Sequence, residues 1–280
     1  MCCTDPRTTG ATDFGALLPG VCDAGRMNSS LVKQRVKQAV RRTVGEPYVG
    51  KRLKMRRLER VLPTLRLRPQ AILDAGSEDA TFVYWLADRF QGAEVTAIDI
   101  DDEAVQNCLS SRPRRYASRV SFRTAYFADL EPESFDLITA FDVLEHIQDD
   151  SAAVADLVRA LRPGGTILVH TPRNTWKQRD GVVHVVPDDE AWKINPGHVR
   201  QGYSPEGLRS LLESSGLEIR SVQTWIGYWG TFAHDFYARL EHPALARLLT
   251  IPVTDACAIL DRRMSDPMQG NSVYVEARKA

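Results

Sequence analysis

The residues of this 280-residue sequence that could do chemistry are acids placed at the ends of short apolar runs. Ala71–Ala75 reads as a strand, and the chain passes through Leu73-Asp74-Ala75-Gly76-Ser77-Glu78-Asp79-Ala80 straight into a helical pattern. An acid at a strand end followed by a glycine turn lets backbone N–H groups approach a ligand. The next apolar run closes on Ile98-Asp99-Ile100-Asp101, with Asp99 standing 23 residues after Gly76. An acid there can hold two vicinal ribose hydroxyls, which points to a nucleoside-bearing cofactor. A dinucleotide site would also require GxGxxG, and the glycines after Gly76 are missing. Asp142, Glu145 and His146 follow the run Phe135–Phe141, and their i, i+3, i+4 spacing predicts one shared helical face. His146, just beyond the fourth strand-like run, is a candidate general base for a hydroxyl acceptor, with His170 and His184 as weaker candidates.

The elements that must position these residues alternate. Strand-like runs occur at Ala71–Ala75, Val95–Ile100, Val120–Thr124, Phe135–Phe141, Thr166–Thr171, Leu217–Thr224 and Ser272–Ala277. Helical stretches at Ala80–Phe90, Asp102–Ser111, Ser151–Leu161 and Pro205–Ser214 lie between them. This rhythm predicts an α/β fold, a doubly wound, mostly parallel sheet with helices on both faces and ligands beyond the carboxyl ends of the strands. Trp225–Met268 breaks the rhythm and is rich in aromatic and aliphatic residues, so 226–270 is expected to be a helical lid or insertion. Residues 1–27 show no sustained period and read as a disordered tail; regular patterning begins only after Met27, a candidate true start. Residues 28–69 read as a basic helical arm, with one helix carrying Val32, Val36, Val40 and Val44 on one face. A second helix is expected over Lys51–Leu62, with Pro63 and Pro69 bracketing a connector before a domain over 70–280.

The 36 Lys and Arg balance 36 Asp and Glu, yet residues 31–70 hold thirteen cations against two acids, a net of +11. Such a split calls for an anionic counterpart, whether membrane, nucleic acid or acidic substrate. Tyr48 is the only aromatic residue of that arm, so single-stranded RNA is the weaker choice, and peripheral contact with an anionic membrane the stronger. No apolar run is long enough to span a bilayer. Five scattered cysteines without a CxxC pair fit a reduced, cytoplasmic chain without a zinc site.

Five segments in order resemble the class I S-adenosylmethionine-dependent methyltransferases. They are LDAG (73–76), AIDID (97–101), SFDLITAFDVLEHI (134–147), LRPGGTILVHTPRN (161–174) and HVRQGYSPEGLRSLLESSGLEI (198–219). The look is closest to the ubiquinone-biosynthesis-like small-molecule O-methyltransferases. The resemblance implies a Rossmann-like sheet of seven strands, the last antiparallel. It implies that Asp74, Ala75 and Gly76 line the methionine end of S-adenosylmethionine, that Asp99 holds the ribose, and that Ile100 packs on the adenine. Tyr126 stands where the family often has an adenine-binding Asp, beside Phe127, so stacking is expected there; Phe141 and Asp142 fall where the family borders the reacting methyl. His198 opens the segment that covers the site in similar enzymes and joins His146 as a catalytic candidate. Small-RNA 3′-end methyltransferases and some quinone O-methyltransferases hold a divalent metal with a similar group, which here would be Asp142, Glu145, His146 and His198. Metal-free relatives carry the same pattern, and no metal is expected.

The family's GxGxG reads GSEDA, with Glu78 and Ala80 at the second and third glycine positions. Glu78 is expected to point outward and leave cofactor binding intact. The function implied is O-methylation of a small-molecule, sugar or lipid-linked acceptor, where the cofactor carries the hard chemistry and the protein aligns acceptor and methyl. The alternatives are a catalytically silent cofactor-binding protein, suggested by GSEDA, and an RNA methyltransferase, suggested by the basic arm.

Overall fold

The computed structural model describes residues 46–177, 183–185, 197–239, 250–264 and 269–280. The expected tail, the first basic helix and the middle of the insertion lie outside the described residues. Helix α1 (Val49–Leu65) leads into β1 (Ala71–Ala75), α2 (Thr81–Arg89), β2 (Glu94–Asp99), α3 (Asp102–Ser111), β3 (Val120–Thr124) and β4 (Phe135–Phe141). There follow α4 (Asp150–Ala160), β5 (Leu161–Pro172), a short antiparallel pair β6 (Thr175–Lys177) and β7 (Val183–Val185), α5 (Pro205–Ser214) and β8 (Leu217–Trp225). Helices α6 (Tyr228–Arg239) and α7 (Thr250–Met264) precede the closing strand β9 (Ser272–Lys279).

Seven strands form one sheet in the order β3-β2-β1-β4-β5-β9-β8, with β9 antiparallel to both of its neighbours. The order reverses between β1 and β4, where a crevice opens beyond the strand ends. Central strands are apolar on both faces because helices cover both. On one face Val154 and Leu157 of α4 and Leu208 and Leu212 of α5 join the core, and on the other Val83 and Leu86 of α2 and Val105 of α3 do so. Side-chain caps explain where the helices start. Asp101 accepts from the Glu103 and Ala104 amides before α3, Asp149 from Ala152 before α4, and Ser204 from Gly207 before α5.

The basic helix differs from its expected form in two ways. It runs past Pro63, which lies in its last turn, and stops at Arg66 in a left-handed conformation. It is also part of the core rather than an arm beside it. Leu58 and Leu62 pack in the same cluster as Ile72, Val83 and Leu86, while Val49 and Leu53 pack with Ala233 of α6 and Cys257 and Ala258 of α7. Its cations find acids of the same chain. Arg52 and Arg56 both grip Asp255 of α7, at 2.6–2.9 Å, and Arg57 lies 3.9 Å from Asp261. Among the described residues of the +11 segment, Arg52, Arg56 and Arg57 thus have their anionic counterpart within the chain. Among the described residues no helix is long and apolar enough to cross a membrane.

Asp261 of α7 is almost fully buried and accepts hydrogen bonds from the Gly227, Trp229 and Gly230 amides at the start of α6. A buried carboxylate holding orphan helix N–H groups is a strong cap. Asp261→Ala should therefore lower the free energy of unfolding by about 2 kcal/mol in urea titration. Arg209→Ala, which removes an exposed pair with Glu213, should change it by less than about 0.5 kcal/mol.

Candidate cofactor and acceptor site

The turn from β1 to α2 forms one wall of the crevice. Gly76 has φ +79°, and a Cβ there would come within 2.5 Å of Val143 Cγ2, so glycine is required for both conformation and space. Gly76 and Ser77 donate their amides to Ile98 O at 2.9 Å, which ties the turn to β2. Glu78 and Ala80 stand at the expected glycine positions and still take left-handed φ values of 42° and 60°. Each costs on the order of 1 kcal/mol, so the surroundings must hold them. Asp99 Oδ2 accepts from the Glu78 amide at 2.8 Å, and Oδ1 from the Asp101 amide at 3.1 Å. Each oxygen retains a lone pair, which suits a carboxylate that is also to receive ribose hydroxyls. The Glu78 side chain is 74% exposed, as expected, and Lys51 of α1 pairs with it.

Ile100 and Tyr126 are both 69% exposed, and Phe127 is half-buried; they offer apolar surface beyond β2 and β3. An acid does stand near Tyr126, but Asp129 folds back to accept from the Tyr126 amide at 2.9 Å. Ala75 is fully buried, so it offers only backbone to a ligand. Phe141, like Ala75, can offer backbone rather than side chain to a ligand. Its ring is buried edge-on against Phe82, with centroids 5.0 Å apart, because the side chain at that register position faces the core. Asp74 is buried and accepts from Thr139 Oγ1 at 2.6 Å; desolvation pushes its carboxyl up to about 7, against the opposing effect of Thr139.

The other wall follows β4. The shared helical face expected for Asp142, Glu145 and His146 does not form. Asp142 is left-handed at φ 57°, and only Leu144–His146 makes a single 3₁₀ turn. Asp142 therefore turns away from the other two, and its carboxylate accepts from Lys54 of α1 and from His170 Nδ1 at 2.8 Å. Burial, reinforced by Lys54, holds His170 well below the usual histidine range, and burial lowers Lys54 to about 8. His146 and His198, 52 positions apart in sequence, meet with ring centroids 4.6 Å apart. The contact exists because residues 197–200 are stapled to the β4 end. The His146 Nδ1–H donates to Gly197 O at 2.9 Å, the Val199 amide to Glu145 O at 3.0 Å, and Arg200 to Leu144 O and Ile147 O at 2.9 and 2.6 Å. Glu145 is fully buried, with Thr171 Oγ1 on one carboxylate oxygen at 3.2 Å and no partner for the other among the described residues. Glu145, His146 and His198 each offer a ligand atom within 4.8 Å of the others, a grouping that excludes Asp142. Burial and the neighbouring His146 lower His198, with a backbone hydrogen bond to Arg200 opposing, and burial raises Glu145.

Sequence reasoning missed Lys51, Lys54 and His234. The two lysines, three positions apart, entered the sequence reading only as part of the basic segment, although the acids of GSEDA are a counterpart within the same sequence. His234 on α6 packs over Gly50, and burial together with Lys54 lowers its pKa. The described residues do not include the side chain of His184.

Residues 48–222 match the methyltransferase domain family, and the chain belongs to it. Its domain is of the class I S-adenosylmethionine-dependent kind, with that class's sheet order and antiparallel seventh strand. The chain is 29% identical over 180 residues to the mitochondrial ubiquinone biosynthesis O-methyltransferase of Homo sapiens, covering 56% of this chain and 48% of that protein. It is 30% identical over 156 residues to the ubiquinone biosynthesis O-methyltransferase of Idiomarina loihiensis, covering 52% of this chain and 61% of that one. The matches thus span about half to three fifths of these relatives. The fold is similar to that of a Haemonchus contortus phosphoethanolamine N-methyltransferase solved with S-adenosyl-L-methionine, at TM-score 0.55 and 15% identity, over 87% of this chain and 59% of that one.

Asp74 gives a pH test of the site. Its folded pKa of about 7 lies above the ordinary 3.8, so between those values the unfolded chain releases a proton that the folded chain keeps. Its contribution to stability therefore falls as pH rises through that window. Asp74→Asn should gain stability relative to the parent between about pH 4 and pH 7.5, by on the order of a few kcal/mol, in paired urea titrations. A difference independent of pH would place the ionised carboxylate in the folded state throughout.

Proposed function

We propose that the chain transfers the methyl group of S-adenosylmethionine to an oxygen of a small-molecule acceptor, of the sugar, lipid-linked or quinone-like kind. The observation that carries this reading is the direct contact between the two walls. Gly76 of the cofactor turn packs against Val143, and Val143 immediately precedes the 3₁₀ turn that presents His146 to His198. A cofactor lying along Gly76 and Asp99 would bring its sulfonium methyl toward this histidine pair. The methyl group needs little activation, so the protein's part is to align the acceptor oxygen in line with it and to remove the hydroxyl proton. With Nδ1–H engaged on Gly197, His146 presents Nε2 as its free acceptor, and the lowered pKa of His198 favours its neutral, proton-accepting form. The names of the human and Idiomarina relatives support oxygen as the acceptor atom.

Calorimetric titration should show S-adenosylhomocysteine binding at micromolar concentration, and Asp99→Ala should abolish it. His146→Ala and His198→Ala should each leave that affinity within about threefold while lowering kcat by roughly 10²–10⁴-fold on the true acceptor. Binding without turnover across acceptor classes would support the catalytically silent reading instead.

The cluster of Glu145, His146 and His198 favours a second reading for the same group. Glu145 Oε1 and His198 Nδ1 are buried without partners among the described residues, so the donor set fits a divalent metal, held by these three side chains. Such a metal would polarise an acceptor hydroxyl. Calorimetry with zinc and magnesium salts on the parent and on His198→Ala separates the readings. Metal binding that the variant loses, with a rise in melting temperature confined to the parent, supports the metal; absence of binding by both supports the histidine base.

A further inference from the structure

The turn Ser77–Ala80 carries a conflict that its own residues do not resolve. Two side-chain-bearing residues occupy left-handed conformations, Glu78 at φ 42° and Ala80 at φ 60°, in the loop that lines the crevice after β1. Backbone bonds hold part of it. The Glu78 amide is on Asp99, the Glu78 carbonyl accepts from Cys108 Sγ at 3.4 Å, and the Ala80 amide donates to Ser77 O at 2.7 Å. The remaining constraint comes from outside the sheet. Lys51 Nζ on the first turn of α1 donates to Glu78 Oε2 and to Asp79 Oδ1, both at 2.8 Å. Its side chain is only 14% exposed, and that of Asp79 17%. Asp79 Oδ1 also accepts from Thr81 Oγ1 at 2.5 Å, so the carboxylate that Lys51 grips is the one that turns the chain into α2.

We propose that Lys51 is a positioning residue of the cofactor site, a brace that holds the glycine-poor turn in its left-handed conformation and so does the work that glycines at 78 and 80 would do by conformational freedom. The proposal rests on the reading of this turn as the cofactor site. It assigns a purpose to the proximity of α1, whose anchorage through Leu53, Leu58 and Leu62 fixes the point from which Lys51 reaches. The pair with the exposed Glu78 is screened by water and contributes little; the partly buried bond to Asp79 carries most of the effect. If the lysine acts by restraining the backbone at 78, a glycine there must make it dispensable.

The test is a double-mutant cycle on the full chain, read by the calorimetric Kd for S-adenosylhomocysteine. Lys51→Met should weaken binding about tenfold or more, and Lys51→Arg should restore affinity to within about threefold of the parent. In a Glu78→Gly background the same Lys51→Met change should cost less than about threefold, since glycine removes the strain that the brace opposes. Amide hydrogen exchange supplies a readout without ligand. Protection of the Glu78 and Ala80 amides should fall in Lys51→Met, while protection within β4 and β5 stays unchanged. Equal losses in the two backgrounds would overturn the brace and leave Lys51 acting on the cofactor itself. An unchanged Kd in Lys51→Met would overturn it as well. Failure of the parent chain to bind would instead remove the cofactor-site reading, and the brace with it.

Discussion

The rest of the site depends on one constraint, which is that the chain must leave β1 and enter α2 through a left-handed turn. That turn lines the crevice where the strand order reverses, its Gly76 and Ser77 amides tied back to Ile98 O, and only a positive φ at Gly76 allows the close approach to Val143 across it. Two further residues of the turn then take conformations that their side chains oppose. The molecule meets this by surrounding the turn with fixed partners. Asp99 holds its amide, Cys108 lies under its carbonyl, and Lys51 crosses from another element to its acids. A similar solution recurs on the opposite wall, where left-handed Asp142 is held by Lys54 and His170. Both walls are therefore connected to the same face of α1.

That connection accounts for the cations of α1. Helix α1 carries its cations to three acidic places: the turn between β1 and α2, the end of β4 and helix α7. The apolar side of the same helix supplies Leu58 and Leu62 to the main core and Val49 and Leu53 to the smaller one beneath the insertion. Residues that lie before the sheet and residues inserted late in the chain thus pack together against one edge of the crevice. Trp225 marks the join. Its ring stacks on Tyr274 of the last strand, with centroids 4.2 Å apart, and lies 5.5 Å from His170. The end of β8, from which the insertion departs, is consequently part of the wall behind the β4–β5 end.

Desolvation shapes the chemistry of that wall. Asp74, Lys54, His170 and His234 are all buried deeply enough to disfavour their charged forms. The histidine pair stands at the edge of this region, with His146 more open to solvent than the neighbouring Glu145.

How much of this was legible in the sequence follows from the range of the forces involved. The strands and helices were legible because their signals are local. Val120–Thr124, Phe135–Phe141, Asp102–Ser111 and Pro205–Ser214 coincide with the expected spans, since apolar periodicity and caps act over a few residues. Order-preserving motifs placed Asp74, Gly76 and Asp99 at strand ends for the same reason. The partners of those residues were decided only by tertiary structure. A lysine on an amphipathic helix reads as solvated until another element brings an acid to it, as Asp142 and Asp79 are brought to Lys54 and Lys51. The ring of Phe141 faces the core because of sheet register, and the supposed helical face after β4 fails because Asp142 takes a left-handed turn. His146 and His198 meet through backbone bonds that close a loop of about fifty residues. Sequence determined which side chains stand at the strand ends, through short-range pattern; contacts across long loop closures, which no local pattern encodes, decided which of them touch.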